Sequence, residues 1–158
     1  MIKSVRFLCP SNICRSPTAE GIFREKAKIS KLDMFCDNAG TASWHVGSFP
    51  YEPMQVATQV RGFDMSKLRA RQIAIADFED FDLLVVMDNE NRSNLKNLCP
   101  EQLNKVHLLT DYSLADLAYD YVLNPYYTSN FKQALDIIGT SLNGLVESLK
   151  NHNNNLKQ

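Results

Sequence analysis

The sequence lacks most of what marks a membrane, nucleic-acid or metal protein. No apolar run approaches the roughly 18 residues that a membrane helix needs. The net charge is −1 and no basic run occurs, so there is no electrostatic footprint for nucleic acid. The apolar part of MIKSVRFLC is too short for a signal peptide, and a cytoplasmic setting is expected, with neither membrane nor nucleic acid as a partner. Neither GxxxxGK(S/T) nor GxGxxG is present, which disfavours nucleotide binding of those types. There is no CxxC pair, and His45, His107 and His152 are scattered, so no metal site and no cofactor is expected. Without an export signal, reduced thiols at Cys9, Cys14, Cys36 and Cys99 are favoured over two disulfides.

What is present is an ordinary globular composition. The chain has 158 residues, 44% of them hydrophobic and 22% charged, enough for one domain with a substantial core. Short apolar runs alternate with helical periodicity. SVRFLC (4–9), MFC (34–36), DLLVVMD (82–88) and KVHLLT (105–110) read as strands, the third a continuous apolar run bounded by acids, as in a parallel sheet covered on both faces. Between them lie helical stretches. One starts at Pro17 with Ser16 as N-cap and carries Ala19, Ile22, Phe23 and Ala27 on one face. A second runs from Pro53 to Arg61 and is ended by Gly62; a third covers 89–98. A last helix shows the stripe Phe131, Leu135, Ile138, Leu142, Leu145, Leu149. The β-α alternation predicts a three-layer α/β sandwich with a four-stranded parallel sheet. Residues 1–150 are expected to form the single domain, and the polar end 151–158 is expected to fray.

In such folds ligands sit beyond the carboxyl ends of the strands. The first strand ends at Cys9 and a helix starts just after Arg15, so the loop CPSNICR falls at that place. Backbone N–H groups of a tight loop and a helix N-terminus converge there, and the helix dipole adds positive charge. The planar fork of Arg15 suits two oxygens of one phosphate. Helix N-termini and cations favour the thiolate form of cysteines placed beside them, and a thiolate at the bottom of such a cradle is a nucleophile. Ser16 has a hydroxyl that can serve the sulfur as well as the helix start. Cys-x5-Arg is common by chance; Cys-x5-Arg-Ser-Pro at a strand-to-helix junction is far more specific.

FLCPSNICRSPTAE resembles the signature of the low-molecular-weight protein tyrosine phosphatases. DNAGTASWHVG (37–47), GFDMSKLRARQI (62–73), DFEDFDLLVVMD (77–88) and NPYY (124–127) resemble further family segments, in the same order. The resemblance implies flavodoxin-like winding and a phosphocysteine mechanism. Cys9 would be the nucleophile, and the loop Pro10, Ser11, Asn12, Ile13, Cys14 and Arg15 would hold phosphate. Asn12 would brace the loop, supported from Asn38. Trp44 and Tyr126 would flank the substrate ring, with Ile13 on the pocket wall and Tyr127 beside them. Cys14 would be a redox partner for Cys9. The implied partners are a phosphotyrosine-containing protein or a small aryl phosphate, with inorganic phosphate and other oxyanions as inhibitors.

The departures from that pattern carry as much meaning. The general-acid position is Asn124, and an amide cannot deliver a proton; loss of a positioned acid costs about 10²–10⁴-fold. Asp120, four residues away, is the nearest acid that could substitute. Pro10 removes a possible cradle N–H, and Ser11 stands where the family has glycine. Asn38 stands where a serine is usual. The expected activity is therefore a slowed phosphatase, with a catalytically impaired phosphotyrosine-binding module as the alternative. Whether Asn124 is natural or introduced stays open at this point. An arsenate reductase, which uses a similar loop, would need a cysteine pair near 80–90, and that stretch has none.

Overall fold

The computed structural model describes residues 1–157. Four parallel strands, β1 (Ser4–Cys9), β2 (Phe35–Gly40), β3 (Leu83–Val86) and β4 (Val106–Leu108), lie in the order β2-β1-β3-β4. This is the first four strands of the flavodoxin-like order, with the winding reversing between β1 and β3.

Strand periodicity sorts the core into two layers. Val5, Phe7 and Cys9 point with Val85 and Met87 to one face, where they meet α1 (Arg15–Ile29) and the apolar stripe of the C-terminal helix. Leu8, Leu84 and Val86 point to the other, against Phe78 and Leu95. These come from α3 (Ala76–Asp80) and α4 (Asn89–Leu98), while α2 (Glu52–Val60) packs with the first layer through Met54. Arg6 shares the second face and is buried as a charge. It donates to Asp37 at 2.6 Å and to Asp77, and its guanidinium lies 3.8 Å over the Phe81 ring. A buried charge needs such partners.

Three expectations are corrected. Helix α1 starts at Arg15, two residues before Pro17, with Cys14 rather than Ser16 as its N-cap. Pro17 is accommodated because the first four N–H groups of a helix need no intrahelical acceptor. The second strand starts at Phe35 and continues to Gly40, well past Cys36. Where 151–158 was expected to fray, the described residues of that stretch are helical: α6 runs from Phe131 to Lys157. Asn153 continues the buried stripe one turn beyond Leu149, accepting from Ile2 N and donating to Ile2 O, both at 3.0 Å.

Four short elements were not expected: α3, α5 (Pro125–Thr128), a single turn capped by Asn124, and the 3-10 helices Pro100–Lys105 and Leu109–Tyr112, the second of which takes the last two residues of the expected strand 105–110. Helix α6 also passes very close to the backbone near Tyr112. A Cβ on Gly144 would fall 1.7 Å from Tyr112 O, so only glycine fits. Among the described residues, no helix is long and apolar enough to cross a membrane.

Candidate active site

The loop from Cys9 to Arg15 leaves β1 at the winding switch. Its shape rests on one left-handed residue, Asn12 at φ 58°. Ser11, which takes the glycine place, needs no positive φ, so serine there is free of that strain. Asparagine tolerates the left-handed region better than most residues. The side chain of Asn12 is fully used. Its Oδ1 accepts from Arg71 N at 2.8 Å, and its Nδ2 donates to Ser16 Oγ at 2.8 Å and to Asn38 Oδ1. Asn38 in turn donates to Glu20 Oε1 at 2.9 Å. Burial pushes the Glu20 carboxyl up, against the bonds from Asn38 and Arg24 that pull it down. Gly40 completes the turn: a Cβ there would lie 2.8 Å from Pro10 O and 2.9 Å from Asn12 Cβ.

The sulfur of Cys9 sits at the base of this loop, facing the start of α1. Ser16 Oγ lies 3.0 Å from it, and Ser16 N donates to it at 3.4 Å. A hydroxyl and a helix N-terminal amide thus both reach one sulfur. No acidic residue occupies the first turn of α1 to compete for that end.

Arg15 is almost wholly buried. Its Nη1 donates to Asp88 Oδ2 at 2.7 Å and to Val122 O at 2.9 Å. Both contacts use Nη1, so the Nε–Nη2 edge remains for two oxygens of an anion. Asp88 follows β3 by two residues and caps α4, accepting from Asn91 N at 2.9 Å. Neither Asp88 nor Glu20 was singled out in the sequence. Asp88 was findable: it closes the apolar run DLLVVMD, at the carboxyl end of an expected parallel strand, where ligands sit in such folds.

Over the loop lies a cavity of about 310 Å³. Pro10, Ser11, Ile13 and Arg15 form its floor, and Trp44, Tyr126 and Tyr127 its aromatic wall, with Asn124 beside them. The Tyr126 ring packs between Tyr51 at 5.1 Å and Tyr127 at 5.3 Å, which fixes its place. The structure thus gathers four loop residues and the three expected aromatics, with Tyr121 as a fourth, around one cavity, while Cys9 is buried and is not among the lining residues. It does not bring Asp120, which is absent from the cavity lining and whose carbonyl accepts from Thr110 Oγ1. The carboxylates that do reach the cavity are Asp88 and Glu90. Asn124 Oδ1 accepts from Tyr126 N at 3.2 Å.

Cys14 lies behind the loop rather than in the cavity. Burial first, and then the neighbouring Cys9, push its thiol up to about 12. All four cysteines are free and buried.

A buried sulfur under a helix N-terminus, an anchored arginine and an aromatic wall suit binding and attack on an aryl phosphate. Comparison with known proteins agrees with that chemistry. Residues 4–155 match the family model of the low molecular weight phosphotyrosine protein phosphatases. The chain is 36% identical over 150 residues to the low molecular weight protein-tyrosine-phosphatase YfkJ of Bacillus subtilis, covering 93% of this chain and 96% of that protein. It is 32% identical over 144 residues to PtpA of Staphylococcus aureus, covering 90% and 91%. The crystal structure of YfkJ superposes with a TM-score of 0.91 at 35% identity, over 96% and 97% of the two chains. That of the Entamoeba histolytica protein tyrosine phosphatase, with Hepes in its active site, gives 0.89 at 30% identity over 96% and 99%. Fold, loop and aromatic wall therefore have one common explanation: the chain belongs to the low molecular weight phosphotyrosine protein phosphatase family.

Proposed function

We propose that the chain hydrolyses phosphotyrosine, in proteins or as small aryl phosphates, through a phosphocysteine on Cys9, and that it does so slowly on substrates with poor leaving groups. The observation that supports this most directly is the surroundings of the Cys9 sulfur, with Ser16 N at 3.4 Å, Ser16 Oγ at 3.0 Å and Arg15 anchored beside it.

In the first step the Cys9 thiolate attacks phosphorus. The bond from phosphorus to the aryl oxygen breaks, and the phenolate leaves. Arg15 and the loop amides hold the equatorial oxygens, without a contribution from Pro10, which has no N–H. As the sulfur loses its charge, Ser16 Oγ and Asn12 keep the loop in shape. In the second step water attacks phosphorus, the sulfur–phosphorus bond breaks, inorganic phosphate departs and the thiolate returns. Trp44, Tyr126 and Tyr127 offer surface to a ring, which favours an aromatic ester over a short alkyl one. Inorganic phosphate and other oxyanions compete for the same cradle. The Hepes held by the Entamoeba enzyme carries a sulfonate, an anion of similar shape.

Asn124 neither protonates the departing phenolate nor takes a proton from the attacking water. Both steps therefore lean on the acidity of the leaving group and on bulk water. A cytoplasmic setting suits four free thiols.

The test compares p-nitrophenyl phosphate, whose leaving group needs little protonation, with phosphotyrosine. The nitrophenyl ester is expected to react far faster, and Asn124→Asp is expected to raise phosphotyrosine turnover by on the order of 10²-fold. Equal phosphotyrosine rates before and after that change would mean that another group supplies the proton. Cys9→Ser should abolish turnover while phosphate still binds; activity retained in that variant would remove the nucleophile assignment. A second reading, a phosphotyrosine-binding module without turnover, is favoured by the use of Asn124 Oδ1 as a helix cap. It prevails if no aryl phosphate is cleaved with or without Asn124→Asp.

A further inference from the structure

A second cleft, of about 550 Å³, adjoins the cavity over the loop. Pro10, Trp44 and Glu90 line both, so the two spaces share a wall rather than merely lying near one another. One side of the cleft is a face of α4, on which Glu90 and Asn94 are one turn apart. The other side is the chain leaving β2 at Thr41, with Gln72 beyond it. Asn94 Nδ2 reaches across to Thr41 Oγ1 at 3.5 Å, which ties the two sides together.

The chemistry of this cleft is one-sided. Glu90 is the only charged residue that lines it; the remaining polar groups are neutral amides and a hydroxyl. Arg92 and Lys96, the cations of α4, are not among the lining residues. Glu90 is exposed and has no ion-pair partner among the described residues. Trp44, at 72% exposed, lines the same two spaces as that carboxylate. A carboxylate next to an aromatic face suits a guanidinium, which can take both oxygens and stack on the ring.

We infer that this cleft is a subsite for a basic side chain, arginine above all, lying within three residues of the phosphotyrosine of a substrate peptide. The inference rests on the proposed action at phosphotyrosine and adds a sequence preference to it. With the phosphorylated ring between the aromatics, the peptide backbone crosses the shared wall at Pro10 and Trp44. A neighbouring side chain then descends on the Glu90 side.

The test uses phosphotyrosine peptides that carry arginine, alanine or glutamate at each of the three positions on either side. For each, kcat/KM is measured with the wild-type chain and with Glu90→Gln and Glu90→Arg. Affinity for the same peptides is measured with Cys9→Ser. At one or more positions the arginine peptide should exceed the glutamate peptide by about two- to fivefold, the size of a solvent-exposed ion pair. Glu90→Gln should bring that ratio near one, and Glu90→Arg should invert it. Added salt should shrink it, because exposed charges are screened. Reading a ratio cancels any general change in activity. Equal use of arginine and glutamate peptides at every position, or a preference untouched by both Glu90 variants, overturns the subsite. Absent turnover with binding that still follows the Glu90-dependent order removes the hydrolase reading and leaves the subsite standing. Absent turnover together with absent binding removes both.

Discussion

Asp88 and Arg15 meet at 2.7 Å from the starts of two helices, α4 and α1, across the point where the sheet reverses its winding. The arginine that would receive an anion is held from behind by a carboxylate that is itself fixed as a helix cap. Removing the carboxylate leaves a buried cation with only a carbonyl partner and leaves α4 uncapped. Asp88→Ala is expected to cost about 1–3 kcal/mol of stability and to weaken inhibition by phosphate. Asp88→Asn keeps the cap and is expected to lose less stability while still loosening Arg15. Urea unfolding and a phosphate inhibition constant read the two effects separately. Unchanged phosphate inhibition in both variants would show that Arg15 needs no anchor.

Glu20 ties stability to pH. Burial raises its carboxyl above the ordinary value of 4.5, so the folded chain keeps a proton that the unfolded chain has already released. More protons bound to the folded state means that stability falls as pH rises from about 4.5 toward the folded value. Asp37, also raised by burial, acts in the same direction. Glu20→Gln is expected to flatten this slope above about pH 4.5, measured as urea midpoints at successive pH values. An equally steep slope in the variant would assign the effect elsewhere.

Cys14 has a thiol near 12, so it stays protonated at neutral pH and waits as a second sulfur behind the loop. Peroxide converting Cys9 to a sulfenic acid would let Cys14 displace water and form a disulfide, which a dithiol then reduces. Brief peroxide treatment is expected to inactivate wild type reversibly. Cys14→Ser is expected to lose activity that dithiothreitol restores poorly. Full recovery in that variant would mean that Cys14 offers no protection.

Gly144 is a test of the packing that holds α6 in place. The overlap of any Cβ with Tyr112 O is with backbone and cannot be relieved by a rotamer change. Gly144→Ala is expected to lose about 1–3 kcal/mol or more, although alanine is the better helix former. Thermal or urea unfolding measures it; a neutral result would show that the 109–112 turn shifts freely.

Much of this was readable before any coordinates. The apolar runs SVRFLC and DLLVVMD read as strands of one parallel sheet, and the loop between Cys9 and Arg15 stands out by its chemistry. The helix start was misread because a serine followed by proline is a good cap signal, yet proline is equally tolerated further into the first turn. The tail was misread because its polarity is real, while the two bonds that hold Asn153 to Ile2 join positions at opposite ends of the sequence. The support from Glu20 and Asp88 was hidden for the same reason. Each is an ordinary acid in its local stretch and gains its meaning only from the partner that the fold brings to it.

Asn12 has one consequence for the energetics of recognition. Every polar atom of its side chain already has a partner inside the protein, on three separate segments: Arg71, Asn38 and Ser16. The turn it adopts is thus settled during folding, before any anion arrives. A loop free to wander would surrender motion on binding, and that loss would be subtracted from its affinity. Here that entropy has already been given up, so ordering this turn takes nothing further from the contacts made to an incoming phosphate.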